Sequence, residues 1–226
     1  MDNIEIIRSE VTKILKSDNS GHGMDHINRV VRVALDIASK ENFDTILTEA
    51  IALLHDVDDY KLFGNEAEDL PNANMILNKT SFNDEQKRIV IDSIKSIGYS
   101  KRIAGTIPEI NEAKAVSDAD MIDAMGAIGI LRSHQYNIKH DNPFFDRNEF
   151  PVLELNAEIY KSKKTGTVVN HAFEKILRLK KLMLTKEGSL LAQKRYDFVV
   201  EFLREYFYEV DALDWIEYLD KYISEN

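Results

Sequence analysis

A histidine and an aspartate stand side by side, His55-Asp56, at the end of the apolar run Ala50-Ile51-Ala52-Leu53-Leu54. An imidazole and a carboxylate are costly to bury behind a hydrophobic stripe, and charged groups stay in a core only when something pairs with them. A divalent cation pairs with both, because it takes a neutral imidazole and an ionised carboxylate together. Two other segments offer further donors: Gly21-His22-Gly23-Met24-Asp25-His26 upstream, and Ser117-Asp118-Ala119-Asp120-Met121-Ile122-Asp123-Ala124 downstream. His26, His55, Asp56 and Asp120 would make a set of two imidazoles and two carboxylates. Mixed nitrogen and oxygen ligation of this kind suits one octahedral divalent ion, Mn²⁺ foremost, with Mg²⁺, Co²⁺ or Fe²⁺ also accommodated, and leaves positions for water and a substrate oxygen. Taken singly, His26 and His55 read rather as hydrogen-bonded core histidines, and Asp120 as a helix cap; it is the four together that point to a metal.

Helices must position these groups. Ile27, Val30, Val31, Ala34, Leu35 and Ala38 recur at helical spacing directly after His26. A second helix is expected from Asp44, as its N-cap, through Leu47, Ala50, Ile51 and Leu54; His55 then shares the buried side close to the helix end. Adjacent residues such as His55 and Asp56 can converge on one ion where a helix stops and the backbone turns. Asn83 and Gln86 have the spacing of a capping box. The run Met121 to Leu131 is apolar nearly all round and predicts a central helix, with Gly126 and Gly129 explained by close approach of a neighbour. Residues 135–151 lack a helical stripe and carry two prolines and four aromatics, which predicts a long loop of the kind that serves as a lid. Beyond it, Leu191, Phe198, Val199, Phe202 and Tyr206 form one stripe and Trp215, Tyr218, Leu219 and Tyr222 another. No strand alternation is visible, so the expectation is an all-α chain folded as a single globular domain, 1–226.

The order H…HD…D resembles the HD-domain metal-dependent phosphohydrolase superfamily. The resemblance is closest to its small bacterial nucleoside triphosphate pyrophosphohydrolase branch. It rests on five blocks: His22-Gly23-Met24-Asp25-His26, Leu53 to Asp59, Asp118 to Ile130, Asn170-His171 and Lys181 to Gly188. It departs at Met121, where a basic residue is common. It implies an HD helical bundle, with a metal-binding core at about 20–135 and a C-terminal helical extension at about 151–226. It also implies cleavage of a nucleoside triphosphate to a monophosphate and pyrophosphate. A bound ion would polarise a phosphoryl oxygen and lower the pKa of its water. Asp59, three residues after Asp56, would move the proton, with Asp58 as competitor for that role or, with it, a mere cap. Phosphate asks for cationic partners. Lys61 comes first, then His171 and His22; Arg132, Lys175 and Arg102 are weaker, and His134 and His140 flank the expected lid. A 5′-nucleotidase or phosphodiesterase of the same superfamily is the neighbouring alternative. A non-catalytic metal- or nucleotide-binding regulator is the alternative of another class.

The bulk properties bound the rest. A net charge of −10 over 226 residues argues against a general nucleic-acid surface, yet leaves room for a small anion at a cationic cleft. With no cysteine there is no disulfide, thiolate nucleophile or Cys-ligated zinc. Neither a signal peptide nor a membrane-spanning run is evident. The simple expectation is a cytoplasmic protein acting on a small phosphorylated substrate, with an oligomeric state that the sequence leaves open. A Walker loop, a G-x-G-x-x-G turn and a G-x-S-x-G elbow are all missing from the sequence.

Overall fold

The computed structural model describes residues 2–16, 23–59, 69–153 and 166–226. These residues are helical throughout, with no strand among them, as the periodicity predicts. The chain forms two compact units, one of residues 1–121 with 184–188, the other of 122–183 with 189–226. Neither is a continuous stretch of chain, because the segment Leu184–Gly188 returns to the first unit.

The first unit holds α1 (Asn3–Leu15), α2 (Met24–Glu41), α3 (Thr45–Leu54), α4 (Pro71–Leu77), α5 (Asp84–Ser96), α6 (Tyr99–Ile103) and most of α7 (Asn111–Asp123). α2 packs along α3, and α3 in turn meets α1 and α5. The buried stripe of α2 is the expected one except for half-buried Leu35, extended by Val33 and Ile37, and it includes His26 itself. α2 stops at Asn42, whose φ of 59° places it in the left-handed region that ends helices. Asp44 caps α3 as expected, accepting from the N–H groups of Ile46 and Leu47. Asn83 and Gln86 close the predicted capping box at the start of α5.

The second unit holds α8 (Gly126–Lys139), α9 (Val168–Glu174), a 3₁₀ helix (Ile176–Leu182), α10 (Lys186–Glu209, from Ser189 onward) and α11 (Leu213–Glu225). Three expectations change here. The single central helix over Met121–Leu131 is instead broken at Ala124-Met125. Gly126 takes a φ of 68°, and a Cβ on Gly129 would lie 2.2 Å from the Ala124 carbonyl oxygen. Gly129 therefore serves the break itself, while at Gly126 the positive φ coincides with the expected close neighbour, since a Cβ there would lie 3.3 Å from Arg195 Cγ on α10. The stretch 135–151 is not all loop, since α8 continues to Lys139. Its aromatics are held inside the unit: Phe145 meets the Trp215 ring edge-on at 5.0 Å, Phe150 stacks on it at 4.8 Å, and Phe144 packs on Tyr206. An ion pair between Arg147 and Asp214, at 2.6 Å, and a bond from the indole N–H of Trp215 to the Arg147 carbonyl fix the same stretch. These anchors are those of a packed segment rather than a loosely tethered flap. On α10 the buried stripe is Ala192, Tyr196, Val199, Leu203 and Phe207, while Phe198, expected inside, is 44% exposed. On α11 Trp215, Leu219 and Tyr222 are buried as expected, and Tyr218 is half-buried.

Candidate metal centre

α2 delivers His26 from its first turn, where the helix has just emerged from Gly23. α3 delivers His55 at its C-cap, and the turn that follows swings Asp56 towards the same point. α7 delivers Asp120 from its last turn but one. His26, His55 and Asp56 form a group whose candidate ligand atoms all lie within 4.8 Å of one another. His26 Nε2 is their hub: it lies 3.3 Å from His55 Nε2, 3.3 Å from Asp56 Oδ2 and 3.6 Å from Asp120 Oδ1. Ligands about 2.1 Å from one ion and at right angles to each other stand about 3 Å apart, so these separations fit adjacent corners of one coordination sphere.

The tautomers fit as well. His55 Nδ1 is 2.8 Å from the Ala52 carbonyl oxygen, which only accepts, so Nδ1 carries the proton and Nε2 keeps its lone pair towards the group. Two imidazole nitrogens and two carboxylate oxygens thus face one another. A single proton on His26 Nε2 would satisfy only one of its three neighbours. The burial is graded: the imidazoles are 1% and 2% exposed, Asp56 13% and Asp120 24%. The nitrogens form the floor, and the carboxylate side is the one that opens to solvent.

The surrounding acidic residues divide by role. Asp58 accepts from the N–H groups of Asn72 at 3.0 Å and Ala73 at 2.8 Å, capping α4 from fourteen residues upstream. That use as a structural cap separates it from Asp59, which is half-buried in the turn after Asp56. Asp118 is fully buried and accepts from the N–H groups of Leu184 and Thr185 and from the Thr185 hydroxyl. Burial pushes its carboxyl up to about 6, against the pull of those hydrogen bonds. Thr185 Oγ1 also accepts from the Gly188 N–H, as an N-cap does. A Cβ on Gly188 would come within 2.3 Å of Asp118 Oδ2. The Thr-x-x-Gly and Asp-x-Asp blocks are therefore two halves of one latch. Met121, next to Asp120, is buried, an environment that suits its thioether and not a charge.

Of the remaining candidates, His22 and Lys61 lie outside the described residues. His171 sits half-buried on α9 in the second unit. Arg132 is engaged by buried Asp123 at 2.7 Å. Asp120 and Asp123 thus have different partners, although they share a helix. His134 packs edge-on against Phe144, and His140 stacks on Tyr136 at the surface. Sequence reasoning missed Lys101. Burial pushes its ammonium below the usual lysine range, against the opposing charges of Asp59 and Asp56. Only its neighbour Arg102 drew notice in the sequence.

None of the protein-family models matches this sequence. Solved structures do. A Lactobacillus plantarum protein is 32% identical at a TM-score of 0.79, over 93% of this chain and 97% of that one. An HD-superfamily hydrolase of Bacillus thuringiensis is 28% identical at a TM-score of 0.72, over 92% and 97%. YpgQ of Bacillus subtilis, solved in complex with ADP, is 27% identical at a TM-score of 0.70, over 94% and 97%. The helical scaffold, the ordered His and Asp blocks and these likenesses agree: the chain belongs to the HD superfamily of metal-dependent phosphohydrolases.

Proposed function

We propose that His26, His55, Asp56 and Asp120 together hold one divalent cation, Mn²⁺ foremost, and that the protein hydrolyses a nucleoside triphosphate to its monophosphate and pyrophosphate in the cytoplasm, where such substrates are abundant. The observation that carries the metal reading is the convergence of His55 Nε2 and the Asp56 and Asp120 carboxylate oxygens on His26 Nε2, with the His55 tautomer set by the Ala52 carbonyl. The nucleotide reading is supported by the ADP complex of YpgQ together with the five sequence blocks. When bound, the cation supplies Lewis acidity towards a phosphoryl oxygen and a water of lowered pKa. The chain does the rest. Asp59 takes the proton of the attacking water from the turn next to the ligands, whereas Asp58 is taken up in capping α4. The Ala52 carbonyl holds the His55 ring in register. Substrate contacts expected at Lys61, His171 and His22 stay with this reading.

Phosphate detection over a nucleotide panel, with and without added inorganic pyrophosphatase, tests the reaction. Signal that appears only with pyrophosphatase marks pyrophosphate release. Phosphate released from a monophosphate without it would mark a nucleotidase instead. Asp59→Asn should keep its metal and lose about 10²- to 10⁴-fold in turnover, the usual worth of a general base. Normal turnover by that variant would remove Asp59 from the mechanism.

A further inference from the structure

The second unit carries a cavity of about 110 Å³ whose walls come from the 3₁₀ helix, α10 and the end of α11. The 3₁₀ helix supplies three cations to it, Arg178, Lys180 and Lys181. Such a helix repeats every three residues, so Arg178 and Lys181 stand one above the other on one side of it. Lys180 Nζ lies 3.6 Å from the centre of the Tyr196 ring, and that contact holds the ammonium at the cavity wall. Lys181 Nζ reaches Asn226 Oδ1 at 3.4 Å, a long bond that leaves further N–H groups for another acceptor. None of the three cations makes an ion pair among the described residues, and no carboxylate side chain among them lines the cavity. In a chain with 39 Asp and Glu against 29 Lys and Arg, three gathered cations without an acid run against the general balance.

The tyrosines add to this. Tyr196 is 5% exposed and lines the cavity, and its hydroxyl has no hydrogen-bond partner among the described residues. A buried hydroxyl ordinarily has one. The Tyr222 hydroxyl, on the same cavity, is already engaged by the Phe173 carbonyl at 3.0 Å. The cavity is therefore rich in donors and cations and poor in acceptors. Its size narrows the ligand further. Sites for small organic molecules run to about 300–1,000 Å³, so this one takes a bare oxyanion and not a nucleotide. Guanidinium and ammonium groups together suit phosphate oxygens.

We propose that Arg178, Lys180 and Lys181 form an anion site in the second unit that binds free inorganic phosphate without a metal. It shares no residue with the metal centre and does not depend on the reaction proposed above.

The test uses the full chain stripped of divalent cations with EDTA, so that no phosphate is held through a metal. Calorimetry measures orthophosphate and, separately, AMP, which carries the same group on a nucleoside. The parent should bind one orthophosphate with a Kd on the order of 1 mM or tighter, and AMP at least tenfold more weakly. Arg178→Gln combined with Lys181→Gln should weaken orthophosphate about tenfold or more, the usual effect of losing charge-assisted hydrogen bonds. Thermal melts show whether that protein is folded. If it is not, Lys181→Gln alone, at an exposed position, decides the matter by the same loss. A parent that binds no orthophosphate in EDTA overturns the assignment, and so does parental affinity in the folded variant. AMP bound as tightly as orthophosphate overturns it as well, because the ligand is then a phosphate on a larger molecule. Mn²⁺ uptake and turnover, measured separately, stand or fall with the metal centre and not with this site.

Discussion

Two polar clusters, one in each compact unit, are built in opposite ways. In the second, the groups at the centre of the packing meet their complements: Asp123 meets Arg132, the Trp215 indole meets the Arg147 carbonyl, and the Tyr222 hydroxyl meets the Phe173 carbonyl. In the first, at the junction of α2, α3 and α7, four possible ligand atoms converge: two imidazole nitrogens stand 3.3 Å apart with carboxylate oxygens at similar range. Complementary pairs close a core. Matched lone pairs are stable together only around a positive charge, and a proton satisfies too few of them. The difference separates a region that holds itself together from one arranged to hold something else.

The largest expected effect breaks the second kind of arrangement. His55→Ala should dialyse free of Mn²⁺ and lose activity by about 10³-fold or more, because the several kcal/mol supplied by a Lewis-acidic ion go with it. Metal content measured beside turnover checks this. A variant that kept parental metal would mean that lone-pair convergence is not what defines the site.

The complementary region should answer to a different assay. Trp215→Ala removes a fully buried ring that touches Phe145, Phe150 and Phe207, and should lower stability by about 3–5 kcal/mol. Thermal melting reads the loss. Mn²⁺ stoichiometry per folded molecule should stay at the parental value. A small stability change would restore the lid reading of residues 135–151, in which these aromatics pack only transiently.

Between the two lies the Asp118 latch, buried like a site residue but satisfied like a core residue. Gly188→Ala would press a methyl against Asp118 Oδ2 and Thr185 Oγ1, at 2.3 and 2.6 Å, and should cost about 1–3 kcal/mol. In an Asp118→Ala background the same change should cost clearly less, since the clash partner is gone; denaturant melts of the four proteins measure that coupling. Equal cost in both backgrounds would move Asp118 out of the latch.

The latch also shows where a sequence stops being legible. Asp44 and the Asn83–Gln86 box could be read because cap and capped groups lie within three residues. The His26, His55 and Asp56 positions could be singled out because their types are anomalous beside apolar stripes. Asp118 could not be assigned from its neighbours, since its partners lie 66 and 67 residues away. Gly126 and Gly129 were visible but ambiguous: a glycine required by positive φ and one required by a close neighbour look alike in a string of letters. Phe198 misled for a related reason. On a helix as long as α10 two apolar stripes run side by side, and only packing decides which is buried. Lys101 was hidden because an isolated lysine on a five-residue helix carries no period.

The smallest effect tests complementarity where solvent dilutes it. Glu10 on α1 meets Lys13 at 2.6 Å and Lys79 at 2.9 Å. Hydrogen bonds from Lys13 and then Lys79 hold its carboxyl down at about 2, from an ordinary 4.5. A carboxylate depressed in the folded state stabilises it above the unfolded pKa, and that contribution fades as pH falls through the folded one. Glu10→Gln should therefore melt on the order of a degree below the parent near neutral pH. The gap should close between pH 4.5 and about 2, and added salt should narrow it at neutral pH. Mn²⁺ uptake should not change at all, because this triad is closed by its own two ammonium groups and contributes no ligand to the group around His26. A Glu10 variant that altered metal binding would show that the two kinds of polar arrangement are coupled through α1 and α3, and would dissolve the contrast between them.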